Sequence, residues 1–101
     1  MIVLHASFPI DPDKRDEVLD LVEDLVEQSN QEPGIVDYRA AVDVTDENVI
    51  RFFERYEDEA ALGAHNQSDH FQEFSAQLPS LLAGEPTVTR FDVSDATELD
   101  L

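Results

Sequence analysis

The feature that most constrains the fold is a predicted strand with large apolar side chains on both of its faces, VIRFFERY. Alternation places Ile50, Phe52 and Tyr56 on one face, and Val49 and Phe53 on the other. Leaving one set in water would forgo roughly 1.5 to 3 kcal/mol for each large side chain. This strand therefore requires cover on both sides, and helices on one side of a sheet supply only half of it.

Periodicity and capping residues predict a strand, helix, strand, strand, helix, strand order for the whole chain. The predicted elements are a strand at 2–8, a helix from about Asp13 to Asn30, strands at 35–44 and 49–56, two short helices that begin after Asp58 and after Ser68 or Asp69, and a strand at 87–93. This is the β-α-β-β-α-β, ferredoxin-like arrangement, an α+β fold with an antiparallel sheet and helices on one side. We expect one domain over residues 1–93 and a loosely held acidic tail over residues 94–101.

The charge balance is extreme, because Lys14 and five arginines oppose 24 acidic residues and give a net charge of -18. Nucleic acid and anionic membranes are therefore disfavoured partners. Hydrophobic residues still make up 42 % of the chain, which excludes a disordered protein. The acids either bind a basic partner or keep the protein hydrated in concentrated salt. Their scatter over every segment and the single lysine favour the second explanation, adaptation to concentrated salt, as in a protein from a halophilic archaeon.

Cysteine is absent, so the chain has no disulfide, thiolate metal site or cysteine nucleophile. The first residues, MIVLHASF, lack a basic segment and are too short and too alternating for a signal peptide or a membrane span. We therefore expect a cytoplasmic protein.

A longer stretch, FFERYEDEAALGAHNQSDHFQEF, preceded by EPGIVDY, resembles the antibiotic biosynthesis monooxygenase (ABM) domain, of the quinol monooxygenase type. The matching features are the E-P-G turn before an aromatic strand, E-R-Y-x-D-E-x-A-L-x-x-H across residues 54–65, and S-x-H-F at 68–71. The resemblance spans roughly residues 1–93 and is more specific for the fold than for a reaction. It implies a homodimer in which two sheets pair face to face as a dimeric α/β-barrel. It also implies cofactor-free oxygenation of a small aromatic, phenol or quinol substrate by O2.

Oxygenation without metal or flavin needs a group that takes the substrate's proton, a donor for developing negative charge and a dry pocket. His65 is the leading base or proton holder, because helical spacing places it on the inward stripe of its helix. Tyr56 and either Arg51 or Arg39 are the candidates near the substrate oxygen. A structural histidine bonded to a backbone carbonyl, and arginines that form ion pairs across the sheet, are the competing interpretations.

Aromatic residues on several elements could line a pocket for a flat ligand, although such spacing is more often core packing. The predicted pocket residues are His5, Tyr38, Phe52, Phe71 and Phe74. A metal site from His65, His70 and either Asp69 or Glu73 is conceivable. The predicted helix break between the two histidines spoils the spacing by which one helix chelates an ion, so we expect neither metal nor cofactor.

The resemblance also argues against two known reactions. Polyketide-oxidising members use an Asn-containing strand that ends in Trp, where this chain has Phe52 and Tyr56. Haem-degrading members use an Asn, a Trp and a His at the positions of Ala6, His65 and Ser75. Haem degradation is therefore not expected. The missing residues motivate a second hypothesis, a non-catalytic dimeric module, stress-related or binding a small hydrophobe.

Overall fold

The computed structural model describes all 101 residues and contains four strands and three α-helices. The elements are β1 (Ile2–Pro9), a 3-10 turn (Pro12–Lys14), α1 (Arg15–Ser29), β2 (Ile35–Asp43), β3 (Asp46–Tyr56), α2 (Glu59–Asn66), α3 (Asp69–Gln77), a second 3-10 turn (Leu78–Ser80) and β4 (Thr87–Asp92). The strands form one antiparallel sheet in the order β2-β3-β1-β4. The predicted ferredoxin-like α+β fold is confirmed. No helix is long and apolar enough to cross a lipid bilayer.

Side-chain caps start α2, α3 and the 3-10 turn before α1 close to where the sequence predicts helices to begin. Asp58 accepts a hydrogen bond from the backbone N–H of Ala61 at 2.9 Å and begins α2. Ser68, and not Asp69, caps α3, because its Oγ accepts from the N–H of Phe71. Asp11 caps the 3-10 turn that precedes α1. These contacts span two or three residues, so local sequence is sufficient to place them.

The core lies between one face of the sheet and the helices. Ile50, Phe52 and Tyr56 of β3 are at most 2 % exposed, whereas Phe53 on the opposite face is 43 % exposed. The predicted division of β3 into two faces is confirmed. Glu54 shares the core face and is only 7 % exposed. A carboxyl group at such a position is unusual, because ionised side chains are rarely buried without a charged partner.

The prediction for β2 is wrong at its first residues. Strict two-residue alternation along the predicted strand at 35–44 places Val36, Tyr38, Ala40, Val42 and Val44 on one face. Tyr38 is buried, but Val36 is 47 % exposed. The register shifts between Ile35, which pairs with Tyr56, and Asp37, which pairs with Arg55. The extra residue turns Val36 away from the core and lets Ile35 pack against the core.

The hairpin between β2 and β3 is also tighter than predicted. We expected a polar turn from Thr45 to Asn48, but the turn contains Val44 and Thr45, and β3 begins at Asp46. The carboxylate of Asp43 accepts hydrogen bonds from both the N–H and the hydroxyl of Thr45. These bonds close the turn locally and leave Val44 fully exposed.

The sheet face away from the helices is uncovered in the single chain. Phe53 of β3 and Phe91 of β4 are each exposed by more than 40 % on this face. On β1, which lies between these two strands, Phe53 is in register with His5 and Phe91 with Val3. Every residue of β4 is exposed, as are residues 94–101. The exposed aromatic rings are what the predicted sheet-to-sheet dimer would bury, and the homodimer itself stays a prediction.

Candidate functional site

A cavity of about 280 Å³ lies between the sheet and the pair α2 and α3. Most of its wall is apolar, and four polar side chains interrupt it. The lining residues are Leu4, Ala6, Phe8, Glu54, His65, Asn66, Phe71, Phe74, Ser75, Leu78 and Val88. The three positions at which the resemblance places the haem-degrading set, Ala6, His65 and Ser75, are among these lining residues.

His65 is the penultimate residue of α2 and is 1 % exposed. Its ring packs against Phe71 with centroids 4.8 Å apart, and against Tyr38 and Tyr56 at 5.2 and 5.6 Å. The hydroxyl of Ser68 donates to the His65 carbonyl and ties the end of α2 to the start of α3. Aromatic contacts on several sides fix the orientation of the imidazole.

One carboxylate oxygen joins the two helical histidines. Oε2 of Glu32 lies 2.7 Å from Nδ1 of His65 and 2.7 Å from Nε2 of His70. Glu32 belongs to the E-P-G turn after α1, and the N–H of Ile35 bonds back to its carbonyl. Because a carboxylate only accepts, each of these ring nitrogens carries a hydrogen and donates a hydrogen bond to it. The turn after α1 thus sets the positions of both histidines.

This arrangement assigns the tautomer of His65. The proton sits on Nδ1, so Nε2 of the neutral ring has a free lone pair. Nε2 is buried and has no hydrogen-bond partner within the protein. Burial lowers the pKa of His65 below its usual 6.5, and the Glu32 carboxylate opposes that effect. At neutral pH the Nε2 atom therefore carries no proton, and the ring is a base on the wall of the cavity.

A second ionisable group, Glu54, faces the same cavity from β3. Its Oε1 accepts a hydrogen bond from the Tyr56 hydroxyl at 2.6 Å. Burial raises the pKa of Glu54 from 4.5 to about 7, against the lowering effect of the Tyr56 bond. Burial and the neighbouring Glu54 together raise the pKa of Tyr56, which stays a neutral donor. Perturbed carboxyl groups of this kind cluster at functional sites.

Glu32, His65 and His70 are also the cluster that could hold a metal ion, since their ligand atoms lie within 4.8 Å of one another. Two imidazole nitrogens and one carboxylate match the donors that zinc accepts. The two short hydrogen bonds already satisfy these groups without an ion. The sequence prediction had named Asp69 or Glu73 as the carboxylate, and the structure replaces them with Glu32.

Several residues predicted for the site do lie around the cavity. His65, Phe71 and Phe74 line it. Tyr38 and Tyr56 contact the His65 ring from the core. Phe52 lies one layer behind and contacts Phe8 and Phe74 edge to face.

Three other predicted residues lie on the far face of the sheet. His5 and Arg39 are both in register with Phe53, and Arg51 is in register with Ser7, so all three point away from the cavity. Arg39 and Arg51 bond the carboxylates of Asp37 and Asp43 at 2.8 and 2.7 Å. Arg51 therefore pairs across the β2–β3 hairpin, as the competing interpretation expects, whereas Arg39 pairs with a residue of its own strand. The candidate site therefore excludes His5, Arg39 and Arg51.

Sequence reasoning missed Glu32 and Glu54 as site residues. Glu32 belongs to the E-P-G element of the resemblance, which predicts only a turn before the strand at 35–44. Glu54 offered a stronger signal, because it is the one acid on the apolar face of the strand. An acid at such a position indicates either a buried partner or a function.

A larger depression of about 420 Å³ lies near Met1 and the end of β4. It is open to solvent and is lined mainly by acidic and other polar side chains, among them Glu57, Asp58 and Glu59. Its arginine, Arg90, already bonds the carboxylates of Glu59 and Asp92. Enclosure and buried ionisable groups favour the smaller cavity as the functional site.

Comparison with known proteins supports the same fold. The sequence profile of the family described as antibiotic biosynthesis monooxygenase matches residues 1–77. A Bacillus subtilis protein, "Putative monooxygenase YcnE", is 38% identical over 95 residues, which are 94% of this chain and 100% of that protein. A crystal structure of an antibiotic biosynthesis monooxygenase superposes with a TM-score of 0.87 at 32% identity, covering 94% of this chain and 100% of that one. Rv0793 from Mycobacterium tuberculosis superposes with a TM-score of 0.89 at 26% identity, covering 96% and 98%.

The profile match contains the four ionisable residues of the site, Glu32, Glu54, His65 and His70. It extends over more than half of the 101 residues, and the Bacillus subtilis relative aligns along its entire length. This chain belongs to the antibiotic biosynthesis monooxygenase family.

Proposed function

We propose that this protein is a cofactor-independent monooxygenase that oxidises a small phenol or quinol with O2. The observation that carries the proposal is a mostly apolar cavity with a buried imidazole on its wall, whose Nδ1 is held by Glu32 and whose Nε2 has no partner. A base with a free lone pair on the wall of a mostly apolar cavity suits the deprotonation of a phenolic hydroxyl.

The cavity sets the size of the substrate. Its 280 Å³ is close to the lower end of the range of roughly 300 to 1,000 Å³ that is usual for small-molecule sites. A substrate of one ring or two fused rings fits such a volume. The rings of Phe8, Phe71 and Phe74 and the aliphatic residues that β1 contributes suit a flat, apolar ligand.

The chemical step begins with proton transfer from the substrate hydroxyl to Nε2 of His65. The resulting phenolate is rich enough in electrons to reduce O2, and the imidazolium stabilises the negative charge that develops on the oxygen. Glu32 in turn stabilises the imidazolium through Nδ1 at 2.7 Å. The charge stays compensated in a site with little water.

The overall reaction balances without an added reductant. A ring carbon of the quinol forms a bond to one oxygen atom of O2 and loses its hydrogen as a proton. The O–O bond then breaks, and the second oxygen atom leaves as water with two protons from the substrate. For hydroquinone the products are hydroxybenzoquinone and water, and the substrate supplies all four electrons that O2 accepts.

Oxygen uptake with a panel of hydroquinones and phenols tests the proposal, in molar chloride that keeps the acidic protein folded. We expect uptake above the rate of autoxidation, and its loss in His65→Ala. His5→Ala is the matched control, because it removes a histidine from the opposite face of the sheet. Uptake that is absent with every compound, or unchanged in His65→Ala, would contradict the proposal.

The same experiment distinguishes the monooxygenase from the alternative function, a non-catalytic binding module. If the compounds bind but no oxygen is consumed, the protein is a binding module for small hydrophobes, as the absent polyketide and haem residues first suggested. Native mass spectrometry of protein purified from its host would then show a retained aromatic ligand.

A further inference from the structure

We propose that Glu54 makes the cavity selective for uncharged aromatic ligands and excludes those that carry a carboxylate. The substrate would enter as a neutral phenol or quinol and lose its proton only inside. This inference rests on the proposed function for the identity of the cavity, but it concerns binding and is measured without turnover.

The cavity offers an anion no positive partner. None of its eleven lining residues is lysine or arginine, and Glu54 is the one carboxyl group among them. The ring of His65 also lines the cavity, and in the neutral tautomer that Glu32 selects it supplies no positive charge. A ligand carboxylate would therefore lose its hydration and gain no ion pair.

All six cationic side chains of the chain are engaged elsewhere. Their contacts are Lys14 with the Ser80 carbonyl, Arg15 with the Glu47 carbonyl, Arg39 with Asp37, Arg51 with Asp43, Arg55 with the sulfur of Met1, and Arg90 with Glu59 and Asp92. None of these cations lines the cavity. An arginine near the substrate oxygen, as the sequence suggested, would have favoured the opposite selectivity.

Glu54 is complementary to a neutral hydroxyl. Its Oε1 already accepts from the Tyr56 hydroxyl at 2.6 Å, and an ionised carboxylate has further lone pairs for a second donor. A phenolic O–H can supply that donor, whereas a carboxylate cannot. Attraction for one group and repulsion of the other arise from the same side chain, which is how a specificity residue discriminates.

The net charge of -18 would repel anions from the whole surface, so the test must remove that contribution. At 1 M salt the Debye length is about 3 Å, which screens exposed charges but leaves a buried carboxyl group such as Glu54 effective. Binding is therefore measured in 1 M potassium chloride at pH 8, without oxygen, by isothermal titration calorimetry.

The ligands are a matched pair, 2,5-dihydroxybenzamide and 2,5-dihydroxybenzoate, which share the quinol ring and differ in charge. We expect the amide to bind at least about 10-fold more tightly, which is about 1.4 kcal/mol. In Glu54→Gln the difference should shrink to about 3-fold or less, because the amide oxygen of the substituted side chain can still accept from Tyr56 without the charge. Equal affinities in the unmutated protein, or an undiminished difference in Glu54→Gln, would overturn the inference.

A second variant keeps the test decisive if Glu54→Gln does not fold. Val88 lines the cavity from β4 and is 60 % exposed, so polar substitutions there leave the core intact. Val88→Lys should strengthen binding of the benzoate several-fold and leave the amide unchanged. Val88→Gln, the uncharged control, should change neither. If both substitutions act alike, charge does not control entry and the inference fails.

The outcomes separate this inference from the proposed function. Selective binding of the amide without oxygen uptake by any neutral quinol supports charge selection and refutes the monooxygenase. Oxygen uptake that is equally fast with the benzoate and the amide supports the monooxygenase and refutes charge selection. If neither ligand binds, the inference is refuted.

Discussion

Oε2 of Glu32 lies 2.7 Å from Nδ1 of His65, although 33 positions separate the two residues in the chain. Glu32 lies in the turn that follows α1, and His65 lies at the end of α2. This contact selects the tautomer that leaves Nε2 free as a base. The chemistry of the cavity therefore depends on how one turn packs against one helix.

Glu32→Gln should reduce oxygen uptake with quinols by about 10- to 100-fold, because a hydrogen bond to a charged group contributes roughly 1.5 to 3 kcal/mol. The pKa of His65 should fall further, since the Glu32 carboxylate raises it against the effect of burial. The acid limb of the kcat/KM profile should then move to lower pH. Glu27→Gln, an exposed position on α1, is the control. A pH profile of unaltered shape and height would contradict the role of Glu32.

Gly34→Ala should destabilise the fold by about 1 to 3 kcal/mol. A Cβ at Gly34 would overlap the Cβ of Ala61 and lie 3.2 Å from its Cα, so the E-P-G turn would have to move away from α2. Gly63→Ala is the matched control, because nothing lies within 4 Å of its added Cβ inside α2. It should stabilise the protein by about 0.5 to 1 kcal/mol. Urea unfolding of the two variants measures both effects, and similar midpoints would contradict the close contact.

Glu54→Gln should change the dependence of stability on pH. The folded-state pKa of Glu54 is raised from 4.5 to about 7, so the native state binds the extra proton between these values. Its contribution to stability is present below about pH 4.5 and is lost as pH rises through 7. As the pH rises from about 4 to about 8, the free energy of unfolding of Glu54→Gln should increase by on the order of 3 kcal/mol relative to that of the unmutated protein. Parallel curves of unfolding free energy against pH would show that burial does not perturb Glu54.

Molar chloride should raise the thermal midpoint. The 24 acidic side chains repel one another over a Debye length of about 10 Å at 0.1 M salt, and over only about 3 Å at 1 M. A gain of 1 kcal/mol corresponds to a rise of about 4 to 8 °C for a domain of this size. Calorimetry in 0.1 and 2 M potassium chloride measures the change in the thermal midpoint. A midpoint that stays constant or falls would contradict adaptation to salt.

Phe53→Asp should dissociate or unfold the predicted homodimer. Phe53 is 43 % exposed on the open face of the sheet, where pairing with a second copy would bury it together with Phe91. A carboxylate in that layer would lose its hydration, and its cross-strand neighbour Arg39 is already paired with Asp37. Val44→Asp is the control, because Val44 is fully exposed in the β2–β3 turn. Light scattering in high salt reports the mass, and a stable unmutated monomer would rule the dimer out.

Local patterns in the sequence were sufficient for the order of the elements, because caps and strand faces depend on neighbours in the chain. Asp58 and Ser68 bond N–H groups three residues ahead, and the two-residue period of β3 separates Phe52 from Phe53. The same reasoning failed at Val36, where an extra residue shifts the register. Such a shift depends on how β2 pairs with Arg55 and Tyr56 at the open end of the hairpin, which neighbouring residues do not reveal.

The candidate site shows the same division. Helical spacing placed His65 inward, and the resemblance placed Ala6 and Ser75 at one site, because both signals are carried by the sequence itself. Only the tertiary structure decided that Glu32 holds His65, that Glu54 enters the cavity and that Arg39 and Arg51 face away from it. Distance and burial determine which charges act on a group, and both arise when segments far apart in sequence pack together.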